Sequence, residues 1–188
     1  MRIVGGRLKG RMLKGPSSSA IRPTSDRLRE TLFNILAHAY DDPVSDARVI
    51  DLFAGTGALA FEALSRGAAF AQLVDMGDEA RALVRANVDS LGLGGVTKLF
   101  RRDARKLGAA PPGSGFSLAF LDPPYGQNLA APALASLTAG GWLTPGALII
   151  VEENAHVELT LPPGLSLIES RRYDDTQLVF LERDEEKC

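Results

Sequence analysis

The residues Asp122-Pro123-Pro124-Tyr125 stand directly behind an apolar run, FSLAFL. They combine a carboxylate, two prolines and a flat aromatic ring. Proline fixes φ and carries no N–H, so the Pro123 carbonyl points in a set direction. A carboxylate and a fixed carbonyl can accept both hydrogens of an exocyclic amine on a nucleobase. Tyr125 can stack on that base and hold its plane. The lone pair of such a nitrogen is delocalised into the ring, so it must be aimed at its electrophile. The set suits methyl transfer to nitrogen on an unstacked base. The plainer alternative is a proline-rich turn after a strand, with Tyr125 packed on the core.

A second set lies upstream in DLFAGTGALA, Asp51 to Ala60. Gly55 and Gly57 allow a tight turn and close approach to a ligand, and Ala60 allows a helix to pack closely on a sheet. A helix starting here offers unpaired N–H groups. Asp75, ending the next apolar run, can accept bonds from both hydroxyls of a ribose. This pattern fits a nicotinamide dinucleotide as well as S-adenosylmethionine. The carboxylates favour the second. Asp51 can hold an amino-acid ammonium and Asp103 lies where adenine would bind, whereas a pyrophosphate would meet repulsion. Phe53, inside the loop, joins the expected cofactor set. Met76 joins it as strand-end packing against which adenine can lie. Turn capping by Asp51 and helix capping by Asp103 are the structural alternatives. No GxxxxGK[ST] loop is present.

These residues need a scaffold that brings them to one edge. Residues 47–53, 70–76, 96–103, 116–122 and 147–153 read as strands. Between them, 58–66 and 78–92 have helical periodicity, and a short helix is expected from Pro132 toward Thr138. An earlier helix runs from about Leu28, capped by Thr24 or Ser25 and stopped by Asp41-Asp42-Pro43. The end, LSLIESRRY and QLVFLER joined by a turn, forms two further strands. Strand-helix alternation with nearly continuous apolar strands predicts an α/β fold, its sheet mostly parallel and covered on both faces, with an antiparallel edge.

The chain has 188 residues, 45% of them hydrophobic, which suits one folded domain with a small appendage. No apolar stretch reaches the length of a membrane span, and no signal peptide is evident. The only cysteine is Cys188. With His38 and His156 far apart in sequence, no metal site is expected. A cytoplasmic monomer is the expectation. Net charge is −2, but residues 1–30 hold Arg2, Arg7, Lys9, Arg11, Lys14, Arg22, Arg27 and Arg29 against Asp26 and Glu30. Local charge governs phosphate attraction better than the total does. The N-terminal piece, residues 1–20, reads as a basic hairpin that contacts RNA, and 21–188 as the catalytic domain.

AGTG after the first strand and DPPY after the fourth resemble the amino-directed class I methyltransferases. IVGGRLKGRMLKGP followed by IRPTSDRLRETLFNIL resembles the RsmD family more specifically, over almost the whole chain. The resemblance implies a Rossmann-like sheet of seven strands in the order 3-2-1-4-5-7-6, flanked by helices. It implies S-adenosylmethionine as cofactor and methylation of guanine 966 at N2 in bacterial 16S ribosomal RNA, on the small subunit or its precursor. It places Asp51, Gly55, Gly57, Asp75 and Asp103 at the cofactor and Asp122 to Tyr125 at the amine and base. Arg7, Arg11, Arg22, Thr24 and Arg29 fall in the RNA-facing part, although Arg22 or Arg29 can instead pair with a carboxylate in the cleft. Two positions depart from the family pattern. Gly77 stands where a second acidic residue is common, with Asp78 a possible substitute, and Tyr125 stands where some relatives carry phenylalanine. DPPY also serves adenine-N6 and cytosine-N4 methylation of DNA. A dinucleotide oxidoreductase and a non-catalytic RNA-binding assembly factor are further alternatives.

Overall fold

Ser25 opens the first helix. Its Oγ accepts the Leu28 N–H at 3.1 Å, capping α1 (Asp26–Ala39). The helix stops where expected, because Asp41 and Asp42 both take left-handed backbone, φ 56° and 47°. The computed structural model describes residues 1–21 and 23–185, so Arg22 and Cys188 lie outside the described residues.

The chain then alternates as its periodicity predicts. β1 (Arg48–Leu52), α2 (Ala58–Ser65), β2 (Phe70–Val74), α3 (Asp78–Leu91) and β3 (Thr97–Phe100) are followed by β4 (Phe116–Leu121) and α4 (Ala130–Ala139). β5 (Leu143–Asn154), β6 (Leu165–Tyr173) and β7 (Thr176–Arg183) complete the chain. β5 begins at Leu143 rather than residue 147. α4 begins at Ala130 and keeps Pro132 in its first turn, where no intrahelical N–H bond is lost. β3 ends at Phe100, and Asp103 instead caps the short 3-10 turn Ala104–Lys106.

The seven strands form one sheet in the order β3-β2-β1-β4-β5-β7-β6, the order the family resemblance implies. β1 pairs in parallel with both β2 and β4, Leu52 lying opposite Val74 and Leu121. β7 runs antiparallel between β5 and β6. The strand order reverses at β1 and β4, so the segments carrying Phe53, Asp75 and Asp122 leave the carboxyl edge beside that switch point.

Strand alternation divides the core into two layers. Leu118 and Phe120 of β4 face α1 and α2, where Phe33 meets Phe120 at 5.7 Å between ring centroids. Ala119 and Leu121 face α4 and Trp142. Burial of each such phenylalanine stabilises the fold by roughly 1.5–3 kcal/mol. Trp142 is fully buried and donates its indole N–H to the Gly108 carbonyl at 2.9 Å. Among the described residues, no helix is long and apolar enough to cross a membrane.

The N-terminal segment does pair with itself, through an Arg2–Met12 bridge and the Ile3 N–H on the Arg11 carbonyl at 3.0 Å. Its side chains Ile3, Leu8 and Leu13 are buried in the same layer as α1 and α2. Ser65 on α2 holds it further, accepting the Leu8 N–H on Oγ at 2.9 Å and the Arg7 N–H on its carbonyl at 2.8 Å. At Gly6, a Cβ would lie 2.0 Å from that Ser65 carbonyl oxygen, so only glycine allows this approach. The segment is thus docked on the sheet-helix core.

Candidate active site

The loop after β1 turns through two left-handed glycines, Gly55 at φ 58° and Gly57 at φ 83°. A Cβ on Gly57 would stand 2.4 Å from the Phe61 ring, so the turn and the packing of α2 both require glycine. Phe53 also takes a left-handed conformation, φ 61°, which is uncommon for a bulky residue and concentrates at ligand sites. The Asp75 carboxylate fixes this loop from the end of β2. It accepts the Gly55 N–H at 3.0 Å on one oxygen and the Gly77 N–H at 2.8 Å on the other. Two of a carboxylate's four acceptor sites are thereby used, and two remain for ribose hydroxyls. Gly77 therefore orients Asp75 through its backbone. Asp78 also lines the cavity, with its exposed carboxylate paired to Arg81.

Asp51 lies below the loop, 1% exposed, and its Oδ2 has no hydrogen-bond partner among the described residues. Burial pushes this carboxyl up to about 8; the Asp75 charge adds to the shift and the Ala60 N–H opposes it. An unanswered acceptor of this kind beside a cavity fits the α-ammonium of S-adenosylmethionine. The cavity measures about 660 Å³, within the usual range for small-molecule sites. Asp51, Phe53, Gly55, Asp75 and Asp122 to Tyr125 all line it, together with Thr24. Gly57 shapes it from behind. Met76 and Asp103 line an adjoining hollow of about 210 Å³ that shares Phe53, Asp75 and Gln127 with the first. Met76 is 54% exposed there, so strand-end packing does not account for it. Asp103 caps the following turn, as the structural alternative holds. It also binds the Arg105 guanidinium at 3.0 and 2.8 Å, which keeps its carboxyl below the usual range.

Ser19, Ala20 and Ile21 line the cavity, and Ile21 lies over Gly55. Two α3 residues, neither named in the sequence analysis, hold the segment that leads into these residues. Glu79 accepts the Ser17 N–H at 2.9 Å and that of Ser18 at 3.2 Å. Asn87 accepts the Lys14 N–H at 2.8 Å and donates to the Thr56 carbonyl at 3.0 Å. Asn87 did carry a signal, as the one polar member of the buried stripe Ala80-Val84-Asn87-Leu91.

At the far end of the cavity, Pro123 is buried and Pro124 exposed. The Tyr125 hydroxyl bonds Thr176 Oγ1 at 2.7 Å, anchoring the ring to the start of β7. The hydroxyl that separates Tyr125 from phenylalanine thus has a structural task. Thr24 Oγ1 lies 2.8 Å from Asp122 Oδ2 and 3.0 Å from Glu152 Oε2. The sequence reading also missed Glu152, although a carboxylate inside the apolar strand ALIIVEEN is unusual enough to signal a partner.

Two positions expected to face RNA are placed elsewhere. Arg29 is fully buried on α1 and ion-pairs with Glu62 at 3.3 Å and Asp26 at 2.8 Å. It also donates to the Thr24 carbonyl at 3.3 Å and to the Arg2 carbonyl. A guanidinium so enclosed cannot reach a phosphate. Thr24 is 9% exposed and belongs to the cavity wall. Arg7 and Arg11 are exposed, and Arg11 donates to the Ser90 carbonyl on α3. Just after β3, Arg102 stacks over Phe100 and Trp142 and donates to the Leu107 carbonyl, a packing role.

A dinucleotide would press a pyrophosphate toward the carboxylates of Asp51 and Asp75, whereas an α-ammonium answers them. With an antiparallel β7 inserted between β5 and β6, the molecule is a class I methyltransferase that uses S-adenosylmethionine. Comparison with known proteins makes the assignment particular. The chain belongs to the family described as Conserved hypothetical protein 95, the RsmD family, whose model matches residues 1–182. Ribosomal RNA small subunit methyltransferase D of Escherichia coli K12 is 39% identical over 168 residues, spanning 89% of this chain and 82% of its own. The Haemophilus influenzae protein of the same name is 34% identical over 175 residues, spanning 91% of this chain and 88% of its own. The solved structure of Escherichia coli yhhF matches with a TM-score of 0.84 at 33% identity, covering 99% of both chains.

Proposed function

We propose that the protein transfers a methyl group from S-adenosylmethionine to the exocyclic N2 amine of a guanine in 16S ribosomal RNA. The expected target is guanine 966, on the small subunit or an assembly precursor. The names of the relatives support ribosomal RNA as substrate. The observation that carries the chemistry is the convergence of Asp122, Pro123 and Tyr125 on the cavity that Asp51, Gly55 and Asp75 also line. When bound, S-adenosylmethionine supplies an electrophilic methyl on a positively charged sulfur. Asp51 holds the ammonium of its amino-acid part and Asp75 its ribose, with Phe53, Met76 and Asp103 around the adenine. Asp122 and the Pro123 carbonyl accept the two amine hydrogens, which turns the nitrogen lone pair toward the methyl and favours the charge that develops on nitrogen. Pro124 stiffens the turn, and Tyr125 stacks on the base. Arg7, Arg11 and Arg22 position phosphates without reading sequence. The protein acts as a cytoplasmic monomer.

The test is methyl transfer from labelled S-adenosylmethionine to undermethylated small subunits, free 16S RNA and DNA, with the modified nucleoside identified. N2-methylguanosine from the small subunit or its precursor is expected. N6-methyladenine as the only product would overturn the guanine assignment.

A further inference from the structure

After Lys14 the chain leaves the core. None of residues 15–21 is buried, whereas Ile3, Leu8 and Leu13 before them are. Both ends of this stretch are fixed. Asn87 accepts the Lys14 N–H at 2.8 Å and donates to the Lys14 carbonyl at 3.2 Å, and Arg29 donates to the Thr24 carbonyl at 3.3 Å. Between these points Glu79 fastens it. Its Oε1 accepts the Ser17 N–H at 2.9 Å, the Ser17 hydroxyl at 3.0 Å and the Ser18 N–H at 3.2 Å, and its Oε2 accepts the Ser18 hydroxyl. These donors hold the Glu79 carboxyl below its usual range, the Ser18 hydroxyl most strongly. Glu79 stands in the first turn of α3, where the helix dipole favours a carboxylate.

The fastened stretch walls the cofactor cavity. Ser19, Ala20 and Ile21 line the same cavity as Asp51 and Asp75, and a Cβ on Gly55 would lie 3.3 Å from Ile21 Cγ2. Ser17 and Ser18 lie outside that lining. Each methyl transfer consumes one S-adenosylmethionine, so the product must leave and fresh cofactor must enter at every turnover. A segment held by hydrogen bonds, with no buried apolar side chain, opens locally without unfolding the domain. We propose that residues 17–21 are a strap, latched by Glu79, that opens for the cofactor to enter or leave. Glu79 is a positioning residue in this device, tying the strap to the segment that follows Asp75.

A latch and a direct cofactor contact differ in kinetics. A closed strap obstructs a molecule entering the cavity as much as one leaving it. Loosening the strap therefore raises both rates and changes affinity little. A side chain that only touches the cofactor acts on release alone. Glu79 itself lines the cavity, so its substitution alters the wall as well as the latch. Ser17 and Ser18 allow the latch to be altered from the strap side. A glutamate at position 18 sets a second carboxylate against Glu79, and like charges at that range repel.

The experiment measures association and release of labelled S-adenosylmethionine by the full chain in rapid filtration, for the wild type, E79A, S18E and S17A/S18A. E79A and S18E are expected to raise both rates by about fivefold to thirtyfold, the effect of losing one or two kcal/mol of hydrogen bonding to a charged acceptor. S17A/S18A keeps the two backbone N–H bonds and should show a smaller rise in both. A second readout needs no cofactor. Hydrogen exchange at the Ser17 and Ser18 amides should be protected in the wild type and fast in E79A and S18E, with α3 still protected. Faster release alone in E79A, beside wild-type rates in S18E, would make Glu79 a cofactor contact and overturn the strap. Wild-type rates in all variants, or unprotected Ser17 and Ser18 amides in the wild type, would overturn it too. Should E79A fail to fold, S18E and S17A/S18A decide. The cofactor alone is the probe, so the outcome does not depend on which base accepts the methyl. Methylation of another base would overturn the proposed function and leave the strap standing.

Discussion

The guanidinium of Arg29 and the carboxylate of Glu62 face each other at 3.3 Å, and neither side chain is exposed. Glu62 also accepts the Val4 N–H at 3.0 Å and the Arg66 guanidinium at 2.9 Å. One buried pair therefore ties the N-terminal segment, α1 and the helix behind the cofactor loop. Removing Arg29 leaves the buried Glu62 charge to Arg66 alone and empties the fully buried space that the guanidinium filled. R29A should therefore destabilise the protein by about 3–5 kcal/mol in urea unfolding.

The exposed arginines should behave differently. R7A and R11A should leave stability nearly unchanged. Each should lower the slope of log affinity for RNA against log salt by roughly 0.7–1 unit. The uncharged R29M, measured in the same assay on folded protein, should leave that slope alone, since a buried cation releases no counterion from RNA. A reduced slope in R29M would return that position to the RNA surface.

Asp51 makes cofactor binding a proton-linked event. Its carboxyl, raised from 3.8 to about 8, stays protonated in the cofactor-free protein at neutral pH. An ammonium beside it favours the ionised form, so binding below pH 8 should release up to one proton per cofactor. Calorimetry in buffers of different ionisation enthalpy measures this directly, and D51N should abolish it. The sign for stability follows from the raised value. The contribution is fully present below pH 3.8 and is lost as pH rises through about 8. D51N should flatten that decline in the cofactor-free protein.

Tyr125 should reveal two separable roles. Y125F keeps the ring but loses the 2.7 Å bond to Thr176, for a stability loss of about 1 kcal/mol. T176V should cost a similar amount, and the double variant little more, because both remove one bond. Y125A should in addition weaken substrate binding by about 1–3 kcal/mol through lost stacking, read as a raised KM.

D122A should cut methyl transfer while sparing cofactor affinity, measured by equilibrium binding. G57A should do the reverse in kind. A methyl group set 2.4 Å from the Phe61 ring displaces α2, so stability and cofactor affinity should fall together.

Much of this molecule was legible in local spacing. Periodicity of two and of 3.6 residues is a property of each segment, so strands, helices and the AGTG and DPPY loops could be placed from their own residues. The edge strand order came through the family resemblance, because pairing between distant strands leaves no local trace. RPTSDRLRE was the segment most open to misreading. Arg29 looks like part of an RNA surface because charge is local, but the partner that claims it is not. Glu62 is 33 positions from Arg29, and Glu152 is 128 from Thr24. Each of these carboxylates stood out in sequence, Glu62 in the buried helix ALAFEALS and Glu152 in an apolar strand. A buried charge announces that a partner exists. Which residue supplies it depends on how the sheet stacks its helices, and tertiary packing alone decided that.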